Sequence, residues 1–156
     1  MNICGLITEY NPFHQGHRIH IEKAKALTKA DYLICLMSGN FVQRGEPAIM
    51  DKFSRAEAAV KSGVDLVMEL PSVYATANAG NFALGAIGIL NSLNIVKSLC
   101  FGSKLKDTEL LCKIADLLIN EDSEFKNRLK KNLKKGINYP SARAAVILDF
   151  LPDIPN

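Results

Sequence analysis

Four short apolar runs, each separated from the next by a stretch with helical periodicity, constrain this chain more than any other feature. They lie at residues 2–8, 32–37, 66–70 and 95–101 and carry the strings ICGLI, YLICLM, LVMEL and SLCF. Runs of this kind are continuous rather than alternating, as expected of parallel strands covered on both faces. Helices are predicted between them, near 16–28, 52–62 and 79–93. The order βαβαβαβ predicts an α/β fold, a Rossmann-like doubly wound parallel sheet. After Ser103 the pattern becomes helical, near 107–120, 123–135 and 141–151, with Gly136 as a stop and Pro140 as a restart. A core over 1–103 and a helical extension over 104–156 are expected. The final LPDIPN has two prolines and no closing element, and reads as an end cut within a larger protein.

At 156 residues, 48% hydrophobic and 22% charged, the chain can bury one main core and is unlike disordered or fibrous sequences. The balance of 19 basic against 16 acidic residues gives +3. That value neither nominates RNA as a partner nor excludes it. Cys4, Cys35, Cys100 and Cys112 have no paired short spacing, and the first three sit in apolar runs, where thiols act as small hydrophobes. The reading is a reduced, cytoplasmic protein. MNICGLITEY has no cationic region and no long apolar stretch, so no signal peptide is read there. No charge occurs between Glu69 and Lys97, yet the longest apolar run there is nine residues with two glycines. A membrane span needs about 20, so the segment is read as buried protein.

In doubly wound sheets, ligands bind at the carboxyl ends of the strands, where the crossover direction reverses. The loop after the first strand, TEYNPFHQGHRIH, holds all three histidines, His14, His17 and His20. It leads from a strand into a helix start, where unpaired N–H groups and the helix dipole favour an anion. Gly16 lets the backbone approach a phosphate, and Pro12 stiffens the approach. The spacing i, i+3, i+6 sets imidazoles along one edge, suited to donating hydrogen bonds to phosphate oxygens. Two other uses compete: histidines that only cap the helix, and an HxxHxxH metal site, for which Glu9 is the one nearby carboxylate.

HQGH after the first strand resembles the HxGH signature of the nucleotidylyltransferase superfamily. The longer strings GLITEYNPFHQGHRIHIEKA, MSGNFVQRGEPAIMDKFSRAEAAVKSGVDLVMELP and LCFGS are similar to the tRNA(Met) cytidine acetate ligase family over essentially the whole chain. The resemblance implies activation of acetate by ATP to acetyladenylate, with Mg2+, then acetyl transfer to N4 of the wobble cytidine of elongator tRNA(Met). It implies that Ile7, Thr8, Glu9, Tyr10, Asn11, Pro12, Phe13, His14, Gln15, Gly16, His17, Arg18, Ile19 and His20 contact the nucleotide, with His14 and His17 catalytic. Gly102 would be a further contact, and Asn156 would be a nucleotide contact in an SPNN-like motif that begins here as IPN, Ile154–Asn156. Lys104 stands where an acidic residue is expected after FGS, and family members are much longer. Other adenylyl or cytidylyl transferases acting on a small phosphorylated acceptor also carry HxGH, and a nucleotide-binding or tRNA-binding module remains a second alternative.

In the second loop, SGNFVQRGEP, Ser38 and Asn40 offer polar contacts and Arg44 a phosphate-pairing cation, with Gly39 and Gly45 allowing tight turns. Lys52 and Arg55 read as solvated helix positions. In the helix near 123–135, Phe125, Leu129 and Leu133 make one apolar stripe, while six cations occupy the remaining faces. That basic face is solvated or touches a tRNA backbone.

Overall fold

The computed structural model describes residues 1–103, 105 and 107–152, apart from the side chain of Arg44. Four strands, β1 (Ile3–Thr8), β2 (Tyr32–Ser38), β3 (Leu66–Leu70) and β4 (Ser98–Cys100), form one sheet in the order β3-β2-β1-β4. Every pairing is parallel. The chain builds outward from β1 through β2 to β3 and then returns to the other side of β1, so the direction reverses beside β1. The doubly wound α/β expectation is met.

The apolar runs form strands because both faces of the sheet are covered. Along β1 and β2, Cys4, Leu6, Leu33, Cys35 and Met37 point to one side, against Ile21 and Ala24 of helix α1 (Gln15–Thr28) and Ala59 of α2 (Lys52–Lys61). Ile3, Ile34 and Leu36 point to the other side with Leu70, against Ala75 of α3 (Ser72–Ala75) and Ala86 and Leu90 of α4 (Ala79–Ser92). Side chains of successive strand residues alternate between the two faces, and each face has its own apolar cluster. Asp51 opens α2 by accepting from the backbone N–H groups of Phe53 and Ser54, and Asn78 opens α4 by accepting from Asn81. The one-turn α3 and a 3-10 turn at Gln43–Gly45 lie in segments read from sequence as loops.

Gly85 sets how closely α3 and α4 approach. A Cβ at this buried position would collide with the ring of Tyr74. Gly88, one turn on, is exposed and has open space around it. Gly85→Ala is therefore expected to lose ~1–3 kcal/mol by overpacking, whereas Gly88→Ala should gain up to ~1 kcal/mol from helix propensity. Urea unfolding of the two variants checks the contrast, and equal effects would contradict the packing role.

The chain divides into two compact units, Met1–Gly102 and Ser103–Asn156. In the second, α5 (Thr108–Ile119), α6 (Ser123–Lys134) and α7 (Tyr139–Phe150) gather around Phe125, Leu129, Ala142 and Val146. Asp107, Asp122 and Asn138 cap the three helices. Pro140 was expected to precede the last helix but sits in its first turn, where a missing N–H costs nothing. Among the described residues, no helix is long and apolar enough to cross a membrane.

A histidine-capped cleft at the carboxyl end of β1

Helix α1 begins on its own histidines. His14 is the N-cap, with an extended backbone, and its Nδ1 accepts from the N–H of Gly16 at 3.0 Å. His17, three residues on, returns the bond: its Nδ1 accepts from the N–H of His14 at 3.3 Å. The pair is a capping box built from imidazoles in place of the usual hydroxyl and carboxylate. The two rings stack with centroids 3.7 Å apart and planes 24° apart. A Cβ on Gly16 would fall 2.9 Å from Cε1 of His14, so glycine here makes room for the capping ring itself.

This arrangement decides the tautomer. An Nδ1 that accepts a backbone hydrogen bond carries no proton, so a neutral ring must carry its proton on Nε2. Each imidazole thus spends Nδ1 on the helix cap and keeps one N–H donor, on Nε2. Capping and ligand donation, competing uses in the sequence reading, are compatible because they employ opposite sides of the ring. No acidic residue occupies the first turn of α1, which leaves the positive end of its dipole uncompensated.

Aromatic packing fixes His17. Its ring centroid is 4.8 Å from that of Tyr10 and 5.6 Å from that of Phe13, and those two rings meet edge to face at 4.9 Å. Burial, then the nearby His14 and His20, hold His17 below the ordinary histidine pKa. Burial does the same to His20, whose Nε2 is enclosed without a hydrogen-bond partner. A depressed folded-state pKa means the unfolded chain binds more protons, so the stability these rings contribute is present above about pH 6.5 and lost as pH falls below it. The thermal midpoint should drop between pH ~7.5 and ~5.5, and replacing both rings by Asn should lessen that drop. An unchanged pH profile in the double variant would contradict the shifts.

These residues border a cleft of about 550 Å³. Ile7, Thr8, Glu9, Tyr10, Asn11, Pro12, His14, His17 and His20 line it. The other members of the 7–20 stretch do not. Phe13 packs against the core, Gly16 lies under the ring of His14, and Gln15 and Ile19 are exposed on α1. Arg18 pairs with Glu22 at 2.9 Å. Gly102 is exposed in the segment after β4 and is not part of the lining. Asn156 and Lys104 lie outside the described residues, as does the side chain of Arg44.

The cleft also has walls not anticipated from sequence: Val42, Gln43 and Glu46 from the second loop, and Phe82 from the first turn of α4. Proximity in sequence could not reveal them, but the reversal point beside β1 could, since it brings α4 to that end of the sheet. The second loop is tied down by the first. Glu9 accepts from the N–H of Gln43 at 2.7 Å, and the side chain of Asn11 accepts from the N–H of Ile49 at 2.7 Å.

Arg55 overturns its reading as a solvated helix position. It is fully buried, and its guanidinium donates to the carbonyls of Glu9 at 2.6 Å, Ser38 at 3.0 Å, Met50 at 3.0 Å and Gly39. Burial lowers its pKa, against the attraction of Asp51, Glu9 and Glu69. Ser38, read as a ligand contact, is buried, while Asn40 is exposed. Lys52 pairs with Glu69 at 2.6 Å. Among the described residues, no group of three or more His, Cys, Asp and Glu side chains comes together to hold a metal ion.

Comparison with known proteins agrees with this geometry. The family described as HIGH Nucleotidyl Transferase matches residues 1–154. A tRNA(Met) cytidine acetate ligase of Clostridium novyi is 55% identical over 153 residues, 98% of this chain and 38% of that protein. One from Caldanaerobacter subterraneus is 52% identical over the same shares. The crystal structure of Thermotoga maritima TmcAL bound with alpha-thio ATP superposes with a TM-score of 0.89 at 46% identity, covering 97% of this chain and 37% of that one. The chain thus spans less than two-fifths of the length of these relatives. With its parallel sheet, its reversal point at β1 and its HQGH cap, this chain belongs to the HIGH nucleotidyl transferase family.

Proposed function

We propose that the cleft at the carboxyl end of β1 binds ATP, and that the chain carries the nucleotide site of a tRNA(Met) cytidine acetate ligase. The observation that carries this reading is the double use of the HQGH histidines. Each Nδ1 is spent on the cap, so both rings are held in the Nε2–H form beside a helix N-terminus that has no acidic residue. That set of donors suits phosphate oxygens. The cleft volume of about 550 Å³ is in the usual range for a nucleotide-sized ligand. The likeness to a TmcAL bound with alpha-thio ATP and to ligases named for tRNA(Met) supports the choice of substrates.

In this reading an acetate oxygen attacks the α-phosphorus of ATP and pyrophosphate leaves, giving acetyladenylate. The N4 amine of the wobble cytidine of elongator tRNA(Met) then attacks the acyl carbon and AMP leaves. No protein nucleophile is needed, so catalysis rests on positioning and on stabilising charge. His14 and His17 donate to phosphate oxygens as negative charge builds on them, and the end of α1 holds those oxygens in place. Glu9 and Glu46 are the carboxylates of the cleft lining and would be the residues to hold a Mg2+ carried by the nucleotide, with one oxygen of Glu9 engaged by the N–H of Gln43. Such an ion would offset the charge of the leaving pyrophosphate.

ATP–pyrophosphate exchange tests the proposal. Exchange that requires acetate is expected. Exchange that requires a phosphorylated acceptor instead would assign the site to another transferase, and tight ATP binding without exchange in the full coding length would reduce it to a binding module.

A further inference from the structure

Helix α6 sorts its charges. Arg128 pairs with Glu124, reaches Asp149 at 3.3 Å and lies over the ring of Phe150 at 5.2 Å. The three lysines of its second half and Lys135 at its C-cap behave otherwise. Lys130, Lys131, Lys134 and Lys135 are exposed, and none has an ion-pair partner among the described residues. With Asn127 they line a surface recess of about 440 Å³. The opposite side of the helix packs Phe125 and Leu129 into the core of the second unit. From residue 125 to residue 148 the sequence has seven Lys and Arg and no Asp or Glu.

The helix dipole accounts for Lys131 and Lys134 in the last turn, but neither for Lys130 nor for the missing acids around them. Four cations within about 8 Å of helix axis repel one another, and among the described residues no carboxylate pairs with them to offset that repulsion. An anion from outside the chain would. We infer that the Lys130, Lys131, Lys134 and Lys135 face docks on the phosphate backbone of RNA, an inference that rests on the tRNA substrate proposed above. A membrane surface fits less well, because Phe125 and Leu129 are packed in the core of the second unit and only Leu133 of that apolar stripe is left exposed, too little to enter lipid. The recess has no aromatic residue to stack a base. Its contacts would therefore position the RNA without reading its sequence.

The test measures affinity for a tRNA(Met) transcript, for an unrelated tRNA and for phosphatidylglycerol vesicles across a salt series, with all four lysines changed to Gln or to Arg. Each lost phosphate contact should flatten the slope of log affinity against log salt by ~0.7–0.9. The Gln variant is expected to lose about 3–3.5 of slope for both tRNAs, and the Arg variant to keep it. ATP affinity should not move. A Gln variant that still binds tRNA with the original slope would overturn this inference while leaving the proposed function intact. A parent chain that binds vesicles but no tRNA would overturn this inference, and ATP–pyrophosphate exchange decides the proposed function separately.

Discussion

Replacing Arg55 with Met should cost the chain ~3–5 kcal/mol, the sum expected when several buried carbonyls lose one shared donor. The methionine fills similar space but donates nothing, so the carbonyls of Glu9, Ser38, Gly39 and Met50 lose the guanidinium they share. Each is a strong acceptor, and a buried acceptor without a partner costs ~1–3 kcal/mol, reduced where water enters. Against a typical total of about 5–15 kcal/mol, the loss leaves the first unit marginal. Thermal unfolding should show the midpoint lowered by about 10 °C or more. Arg55→Lys keeps the charge but lacks the planar fork of donors that reaches four acceptors, so a smaller loss is expected, with weaker ATP binding as the two loops loosen. A midpoint within a few degrees of the parent for Arg55→Met would mean that these carbonyls are solvated and the clamp is dispensable.

Arg55 also marks where reading the sequence stops. Its neighbours in sequence, Ser54 and Ala56, describe an ordinary first turn of a helix. What buries it is the arrival of carbonyls from residues up to 46 positions away, and no local pattern encodes that. The walls of the cleft follow the same logic. Nine residues between Ile7 and His20 line it and lie close together in sequence, whereas Val42, Gln43, Glu46 and Phe82 join them only through the fold. The strands were legible for a physical reason: a parallel strand covered on both faces must be apolar throughout, and LICLM of β2 is buried at every position. The helix α3 was not, because four residues after Pro71 are too few to display a period. Sequence spacing put the three histidines on one helix edge. The structure instead makes His14 the cap, turns His17 back to bond it and encloses His20, an arrangement that depends on ring orientation.

His17→Asn should cut acetate-dependent pyrophosphate exchange ~10²-fold or more, the scale for losing one donor to charge that develops in a transition state. The choice of Asn separates two roles that Ala would remove together. An Asn side-chain oxygen reaches about as far as Nδ1, so it can still accept from the N–H of His14 and preserve the cap, worth ~1 kcal/mol. It does not reach as far as Nε2, and the donor facing the phosphates is lost. His17→Gln makes the opposite trade: its longer side chain can extend an amide N–H towards the Nε2 position while giving up the cap geometry. If the ring acts through its Nε2–H, Asn should unfold near the parent temperature with little exchange, and Gln should unfold earlier with more of the exchange kept. Both readouts come from the protein in its full coding length, one by calorimetry and one by label exchange into ATP. Exchange at the parent rate in His17→Asn would confine His17 to holding the helix start. The phosphate donors would then have to be His14 and the free N–H groups of α1.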